Sequence, residues 1–287
     1  MAERDTAILL IRCPDAKGLV AGVSGFLYNH GANILSTDEH RDDETGQFLM
    51  RVEWDLEDFG LEREEFARAF ESAVGRRFGM QWRVAYSRER LRVAVFVSKY
   101  LHCLSDLLHR HREGELRADI RMVVSNHGDA AELAGFYGVP FRHVPVTAET
   151  KAEAEQRQLA LLEAEAVDLV VLARYMQVLS APFVQRYPAR IINVHHSFLP
   201  AFSGARPYHA AFERGVKLIG ATAHYVTDVL DDGPIIEQEV VRVSHRDQLA
   251  DMIEKGRDAE RLALARAVRW HLEHRVLLDG RKTVVFV

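Results

Sequence analysis

The first 86 residues alternate between apolar segments with strand spacing and segments with helical spacing. Their order is strand, helix, strand, strand, helix, strand, which is typical of a ferredoxin-like βαββαβ domain. The predicted elements are a strand at 6–13, a helix from Leu19 to just before Gly31, two strands within 32–56 joined by a turn at Asp43 and Gly46, a helix at 62–78 and a strand at 80–86. The pattern therefore predicts a small domain that is complete near residue 86.

A different pattern follows the polar segment 87–91. Near-continuous apolar strands now alternate with helices, which indicates a doubly wound, mostly parallel sheet covered on both faces. The predicted strands are 92–98, 120–126, 141–146, 167–174 and 189–196, with helices beginning near Leu101, Asp129, Lys151 and Ala181, followed by strands at 218–226 and 233–243, a long helix at 246–272 and a hairpin at 276–287. The chain is thus an α/β protein with predicted domains at 1–86 and 92–287, joined by a linker at 87–91.

Composition and charge exclude several classes of protein. With 37 basic and 42 acidic residues the formal net charge is −5, which disfavours a dedicated nucleic-acid binder. No apolar run approaches the roughly 20 residues that span a bilayer, and the charged N-terminus is unlike a signal peptide, so we expect a cytoplasmic protein without a membrane partner. The two cysteines, Cys13 and Cys103, are too few for a disulfide framework or a Cys-based zinc site.

The densest polar cluster follows the predicted strand 189–196. Side chains alternate along a strand, so Asn193, His195 and Ser197 are expected on one face and His196 on the other. Asp231 and Asp232 occupy a turn before a later strand. An Asn, a His and an Asp that converge on one pocket suit chemistry at an acyl carbon, although the same residues would also serve merely as polar groups that cap the sheet.

Other candidate sites have weaker support. His195, His196, His209 and His224 lack the tight spacing of metal ligands, so we expect no metal. Consecutive helix positions point about 100° apart, which argues against pairing of Cys103 with His102 as thiol and base. The chain contains neither a dinucleotide-binding nor a P-loop glycine motif, and Ser197 lacks the context of a nucleophile elbow.

Residues 193–243 resemble the catalytic core of the folate-dependent formyltransferase family. The family signature is Asn-x-His-x-Ser, then Leu-Pro, then an Asp separated by one residue from a Gly, and Asn193, His195 and Asp231 match its catalytic positions, whereas Asp232 varies. Residues 172–180 are similar to the stretch that lines the pterin and formyl pocket. The resemblance implies substrate contacts from Arg174, Tyr175, Met176, Val178, Leu179, Ser197 and Gly204. Many relatives carry a smaller residue or Lys at the position of Arg174.

Within that family the chain most closely resembles the deformylase group. The first 85 residues are similar to an ACT domain, and the segments 98–108 and 195–226 fit the deformylase pattern. The resemblance implies hydrolysis of 10-formyltetrahydrofolate to tetrahydrofolate and formate, with folate as substrate and no cofactor. It also implies a homo-oligomer that responds to an amino-acid effector bound near Asp15, Gly18, Leu19, Gly22 and Asn33, unless the module serves dimerisation alone.

Two rival functions remain open at this stage. An amine formyltransferase, acting on a glycinamide ribonucleotide, an aminoacyl-tRNA or an amino sugar, would share Asn193, His195 and Asp231. The ACT-like N-terminus and the absence of a tRNA-holding domain after residue 287 favour the hydrolase. A non-catalytic folate or amino-acid sensor is disfavoured because the three catalytic positions are intact. The implied cellular role balances the two folate pools and supplies formate for purine biosynthesis.

Overall fold

A computed structural model describes residues 4–200 and 207–287. The chain forms two compact units: the first comprises Met1–Glu89, His274–Asp279 and Val284–Val287, and the second comprises Arg90–Glu273 and Gly280–Thr283. The sequence-based boundaries assign residues 274–279 and 284–287 to the second domain, whereas their packing assigns them to the first unit. No helix in the described ranges combines the length and the apolar character needed to cross a membrane.

The first unit contains a four-stranded antiparallel sheet in the order β2-β3-β1-β4. Its elements are β1 (Thr6–Pro14), α1 (Leu19–Asn29), β2 (Asn33–Asp42), β3 (Gln47–Asp55), α2 (Arg63–Phe70), a π-helical turn (Glu71–Gly75), α3 (Arg76–Phe78) and β4 (Gln81–Tyr86). This is the predicted ferredoxin-like order of elements. The helix predicted at 62–78 is interrupted by the π-helical turn, where the Glu71 carboxylate accepts a hydrogen bond from Trp82 Nε1 at 2.9 Å.

Aromatic side chains fill the core of the first unit. Trp54, Phe66 and Phe70 are at most 1% exposed, and Phe66 stacks on both of the others. Gly22 in α1 faces Phe78, and a Cβ at that glycine would lie 3.1 Å from the Phe78 ring. Gly22 therefore lets α1 pack closely against α3, which carries Phe78.

The second unit contains a seven-stranded sheet in the order β11-β10-β9-β8-β5-β6-β7. Its strands are β5 (Leu91–Val97), β6 (Ala118–Ser125), β7 (Phe141–His143), β8 (Leu169–Leu172), β9 (Ile191–His195), β10 (Leu218–Tyr225) and β11 (Ile235–Arg242). Five neighbouring strands pair in parallel, namely β9, β8, β5, β6 and β7. At the other edge β10 pairs antiparallel with both β9 and β11. The predicted mostly parallel sheet is therefore confirmed.

Six helices are described in the second unit. They are α4 (His102–Arg112), α5 (Ala131–Phe136), α6 (Lys151–Ala164), α7 (Ala181–Arg186), α8 (Pro207–Arg214) and α9 (Leu249–Leu272). The sequence pattern predicts all of them except α8. The chain ends in the predicted hairpin, formed by β12 (Val276–Asp279) and β13 (Lys282–Val285).

Candidate active site

The antiparallel pairing of β9 with β10 brings two polar side chains together. Asn193 on β9 lies opposite His224 on β10, and Asn193 Nδ2 lies 3.2 Å from His224 Nε2. The other ring nitrogen of His224, Nδ1, lies 2.9 Å from the Tyr225 carbonyl oxygen. A carbonyl only accepts hydrogen bonds, so Nδ1 carries the proton and Nε2 accepts from the Asn193 amide.

This arrangement fixes both side chains. His224 is 2% exposed, and burial lowers its pKa, because the hydrogen bond to the Tyr225 carbonyl and the charge of Asp231 compensate only in part. The neutral ring uses one N–H group of the Asn193 amide. The second N–H group of that amide is left to donate to a ligand.

The Asp231 side chain lies beside His195 and His224 and comes from the turn that follows β10. Its Oδ2 lies 3.2 Å from His195 Nδ1, and its Oδ1 lies 3.8 Å from His224 Nε2. The backbone of Asp231 has a φ of 55°, a left-handed conformation that is uncommon for residues other than glycine. A Cβ at Gly233 would overlap the Tyr225 carbonyl oxygen, so this glycine allows the turn to approach β10 closely.

The electrostatics of the site favour an ionised Asp231. The hydrogen bond from His195 holds the pKa of Asp231 below its ordinary value, since it outweighs the opposing effect of partial burial. Asp231 is therefore a carboxylate at neutral pH and accepts a hydrogen bond from the N–H group at His195 Nδ1.

His195 presents its other ring nitrogen without a partner. The residue is 7% exposed, and its buried Nε2 forms no hydrogen bond with the described part of the chain. A buried polar atom without a partner is unusual and points to a missing ligand. Together with Asn193 and Asp231, His195 lines a cavity of about 600 Å³.

Residues 174–179 form another wall of this cavity. The Ser98 backbone N–H donates to the Arg174 carbonyl at 3.2 Å, and the Met176 N–H donates to the Ser98 hydroxyl at 2.9 Å. The Tyr175 hydroxyl accepts a hydrogen bond from Gln158 Nε2 at 2.8 Å. These bonds hold the segment in place while Met176 and Val178 stay about half exposed. The wall thus offers a fixed backbone and accessible apolar side chains to a ring-shaped ligand.

The side chains of one group lie as close together as the ligands of a metal ion. Donor atoms of His102, Cys103 and Glu260 lie within 4.8 Å of one another, and no other such group occurs at 4–200 or 207–287. Burial raises the pKa of the Cys103 thiol well above its ordinary value. The Glu260 carboxylate already accepts hydrogen bonds from His102 and Tyr208, which makes the group a hydrogen-bonded cluster.

Comparison with known proteins identifies the family. Residues 91–268 match the formyl transferase family, and residues 7–74 match the ACT domain family. The formyltetrahydrofolate deformylase of Synechocystis sp. is 52% identical over 281 residues, which cover 98% of this chain and 98% of that protein. The chain belongs to the formyltetrahydrofolate deformylase family.

Solved structures support membership of the deformylase family. The formyltetrahydrofolate deformylase of Pseudomonas syringae superposes with a TM-score of 0.97 at 46% identity, covering 100% of this chain and 96% of the other. A glycinamide ribonucleotide transformylase from Symbiobacterium toebii superposes with a TM-score of 0.67 at 32% identity, covering 70% of this chain and 97% of its own. The transformylase thus shares a large part of the fold, whereas the deformylase matches the whole chain.

The structure of this deformylase family member brings many of the predicted site residues together. The cavity is lined by the predicted residues Asn193, His195, Asp231, Arg174, Tyr175, Met176, Val178 and Leu179. Ser197 is not among the lining residues; its hydroxyl is buried without a partner in the described ranges, while its carbonyl accepts from the Thr222 hydroxyl at 2.9 Å. Gly204 lies outside the described residues. His196 also lines the cavity, contrary to the expected alternation, because β9 ends at His195.

His224 is a cavity residue whose contact with Asn193 sequence reasoning missed. Its spacing suggested only membership of a weak set of metal-ligand candidates. The signal that identifies its position is the antiparallel register of β9 and β10, which places it opposite Asn193. Parallel pairing, expected for most of this sheet, would not have brought these two residues into register.

The ACT-like module has a separate, open cavity of about 360 Å³. Of the residues predicted to bind an effector, Asp15, Gly18 and Leu19 line it. Gly18 has a φ of 91° and precedes α1, so a glycine suits this turn. Gly22 faces Phe78 instead, and Asn33 is exposed at the start of β2. The cavity therefore gathers three of the five predicted residues.

Proposed function

We propose that this chain hydrolyses 10-formyltetrahydrofolate to tetrahydrofolate and formate at the cavity lined by Asn193, His195 and Asp231. The observation that carries the proposal is the buried Nε2 of His195, which has no hydrogen-bond partner among the described residues and whose ring is oriented by Asp231 through Nδ1. Family membership supplies the reaction, since the relatives with full coverage are named formyltetrahydrofolate deformylases.

In the proposed mechanism the formyl oxygen faces the free amide N–H of Asn193 and Nε2 of His195. Asp231 orients a water molecule through Oδ1, which lies 3.8 Å from His224 Nε2, and helps to deprotonate it. The water oxygen bonds to the formyl carbon, and protonated His195 and Asn193 stabilise the resulting oxyanion. The bond between that carbon and N10 of the folate then breaks. N10 takes the proton that Asp231 removed from the water, which yields tetrahydrofolate, and the released formic acid loses its own proton to give formate.

Substrate contacts follow from the walls of the cavity. We propose that the pterin ring lies against residues 174–179, whose backbone is held by Ser98, while Met176 and Val178 provide apolar contacts. Ser197 and Gly204 remain proposed contacts from the family resemblance alone. The reaction as written balances without a metal or an organic cofactor, so we propose folate as substrate only. We also propose a cytoplasmic role that feeds formate to purine biosynthesis.

For the ACT-like module we propose a homo-oligomeric arrangement and an amino-acid effector. The cavity at Asp15, Gly18 and Leu19 supports this proposal, because a carboxylate beside the start of a helix suits the charged groups of a free amino acid. Analytical ultracentrifugation at micromolar protein should show an oligomer. Formate release measured with each of the common amino acids should change for at least one of them, and a monomer that none of them affects would contradict the proposal.

The decisive experiment measures formate and tetrahydrofolate release from 10-formyltetrahydrofolate with no amine acceptor present. Asp231→Asn is the test variant, and Asp232→Asn is the matched control because the Asp232 side chain pairs with the exposed Arg281 and does not line the cavity. We expect stoichiometric formate from the native protein and the control, and a loss of about 10³-fold in the test variant. Formyl transfer that requires an added amine would instead establish a transferase.

A further inference from the structure

Arg174 has a backbone conformation that favours glycine. Its φ is 63°, in the left-handed region, yet the residue carries a long cationic side chain. Strain of this kind persists where the surrounding structure enforces it, and it often marks a functional position. Arg174 also lines the catalytic cavity, so its side chain is the first place to look for that function.

A buried carboxylate anchors the Arg174 guanidinium. Arg174 Nε lies 3.3 Å from Glu260 Oε2, and the two side chains are 9% and 1% exposed. The buried Nε of Arg174 forms no hydrogen bond with residues at 4–200 or 207–287, so its contact with Glu260 is an ion pair without a hydrogen bond. Glu260 therefore holds this edge of the guanidinium by its charge.

The surroundings of Glu260 keep this carboxylate charged and fixed. His102 Nε2 lies 2.8 Å from one oxygen, and the Tyr208 hydroxyl donates to the other at 2.7 Å. These contacts and the charge of Arg174 outweigh burial, so the pKa of Glu260 lies below its ordinary value. A Cβ at Gly256, one turn earlier on α9, would overlap the Tyr208 ring. The glycine thus makes room for Tyr208 to reach Glu260.

The two partners of this ion pair, Arg174 and Glu260, lie at different distances from the cavity. Arg174 lines the cavity and Glu260 does not, because Glu260 lies behind the guanidinium on α9. Of this ion pair, a molecule in the cavity meets the positive partner first, while Asp228 and Asp231 add acidic side chains to the lining of the same cavity. Opposite charges at unequal distances do not cancel, and the nearer one dominates the interaction.

We propose that Arg174, positioned by Glu260, is a specificity-determining residue that excludes cationic amines from the cavity and so reserves the formyl group for water. The inference rests on the proposed function, since it concerns which acceptor reaches the formyl carbon. An amine acceptor is mostly protonated at neutral pH and would enter as an ammonium ion, which the guanidinium repels. Water carries no charge and is not repelled.

The excluded reaction is a complete formyl transfer. The amine nitrogen would bond to the formyl carbon, the bond from that carbon to N10 would break, and N10 would take a proton lost by the amine. The products would be a formamide and tetrahydrofolate in place of formate and tetrahydrofolate. The ratio of formamide to formate therefore reports how strongly the cavity discriminates between acceptors.

The test measures this ratio for the full chain with two competing acceptors of similar size. Methylamine is cationic at neutral pH, and hydroxylamine is mostly uncharged. The variants are Arg174→Gln, which removes the charge, and Arg174→Lys, which keeps it. Arg257→Gln is the matched control, because Arg257 also packs over the Tyr100 ring, 5.8 Å from its centroid, but does not line the cavity. If Arg174→Gln does not fold, Arg174→Gly provides the test, since glycine suits a φ of 63°.

We expect the methylamine ratio to rise about tenfold or more in Arg174→Gln, and to stay within about threefold of the native value in Arg174→Lys and Arg257→Gln. The hydroxylamine ratio should change by less than about threefold in every variant. A rise for both acceptors would mean that Arg174 acts by size, and no rise for either would mean that it excludes nothing; each result overturns the proposal. Absence of formate from the native protein without an acceptor would instead refute the proposed function.

Discussion

Nδ1 of His195 lies 3.2 Å from Oδ2 of Asp231, and this single contact determines what the rest of the site can do. It fixes the imidazole so that Nε2 faces the cavity, and it stabilises the ring when that nitrogen is protonated. His195 lies on β9, and Asp231 lies on the turn after β10. The antiparallel pairing of β9 with β10 brings the two residues together. The catalytic geometry therefore depends on the edge of the sheet that is not parallel.

Replacement of Asn193 tests the oxyanion interaction. Asn193→Ala removes the amide that donates to the formyl oxygen, so turnover should fall by about 10²–10³-fold. Steady-state formate release gives the rate, and circular dichroism with urea unfolding checks that the fold is retained. A variant that keeps more than about half of the native turnover would remove Asn193 from the mechanism.

His224 should act through Asn193 as a positioning residue. His224→Phe keeps a buried ring but removes the Nε2 acceptor that holds the Asn193 amide at 3.2 Å. We expect kcat to fall by about ten- to a hundredfold while KM changes little, because the lost interaction aligns a group needed in the transition state.

A double-mutant cycle separates this role from an independent one. If His224 acts by orienting Asn193, the double variant Asn193→Ala, His224→Phe should be only slightly slower than Asn193→Ala alone. Rate losses that multiply in the double variant would show that His224 contributes separately, for example through Asp231, 3.8 Å from its Nε2.

Removal of Glu260 should destabilise the second unit. Glu260→Ala leaves the guanidinium of Arg174 buried without its counter-charge, and it also removes the acceptor of the Tyr208 hydroxyl. Loss of one partner of a buried ion pair typically costs about 3–5 kcal/mol in the free energy of unfolding. Urea unfolding monitored by circular dichroism measures this cost.

Glu163→Ala is the control for the Glu260 prediction. Glu163 pairs with Arg186 at 3.1 Å, but both side chains are more than 60% exposed. Exposed pairs contribute roughly 0–1 kcal/mol, so the control should unfold almost like the native chain. Equal losses in the two variants would mean that burial of the Glu260 pair is energetically unimportant.

The spacing of apolar residues predicts the helices and strands of this fold better than it predicts which of them pack together. The βαββαβ order and the parallel strands follow from apolar periodicity, which depends on neighbours in the chain. The antiparallel register that places His224 opposite Asn193 depends on how distant segments pair. The spacing of apolar residues does not predict this register. Likewise Glu260 resembles any charged residue on a long helix, and only the fold shows that it lies beside Arg174.

The C-terminal hairpin shows the same limit. Residues 276–287 are correctly predicted as a hairpin, but spacing does not reveal that Arg12 pairs with the buried Asp279 at 2.8 Å. Nor does it reveal that Arg51, 2% exposed, donates to the His274 carbonyl at 3.2 Å. These contacts join residues more than 200 positions apart in sequence, which local periodicity cannot detect.

Protonation of His274 should destabilise the first unit in mild acid. Burial lowers the pKa of His274 to about 4, and the positive charges of Arg83 and Arg51 act in the same direction. An unfolded His has a pKa of about 6.5, so the unfolded chain binds the proton more readily between these values. The stabilisation is complete above about pH 6.5 and is lost as the pH falls toward 4.

The pKa difference gives a loss of about 2 kcal/mol in the free energy of unfolding between pH 7.5 and pH 5. Urea unfolding at both pH values should show this loss in the native chain and a correspondingly smaller one in His274→Asn, since asparagine tolerates the φ of 53° at this position. His109→Asn is the control because His109 is exposed. If the native chain and His274→Asn lose the same free energy, His274 does not carry the pH dependence, and ionisation of carboxylates must account for it.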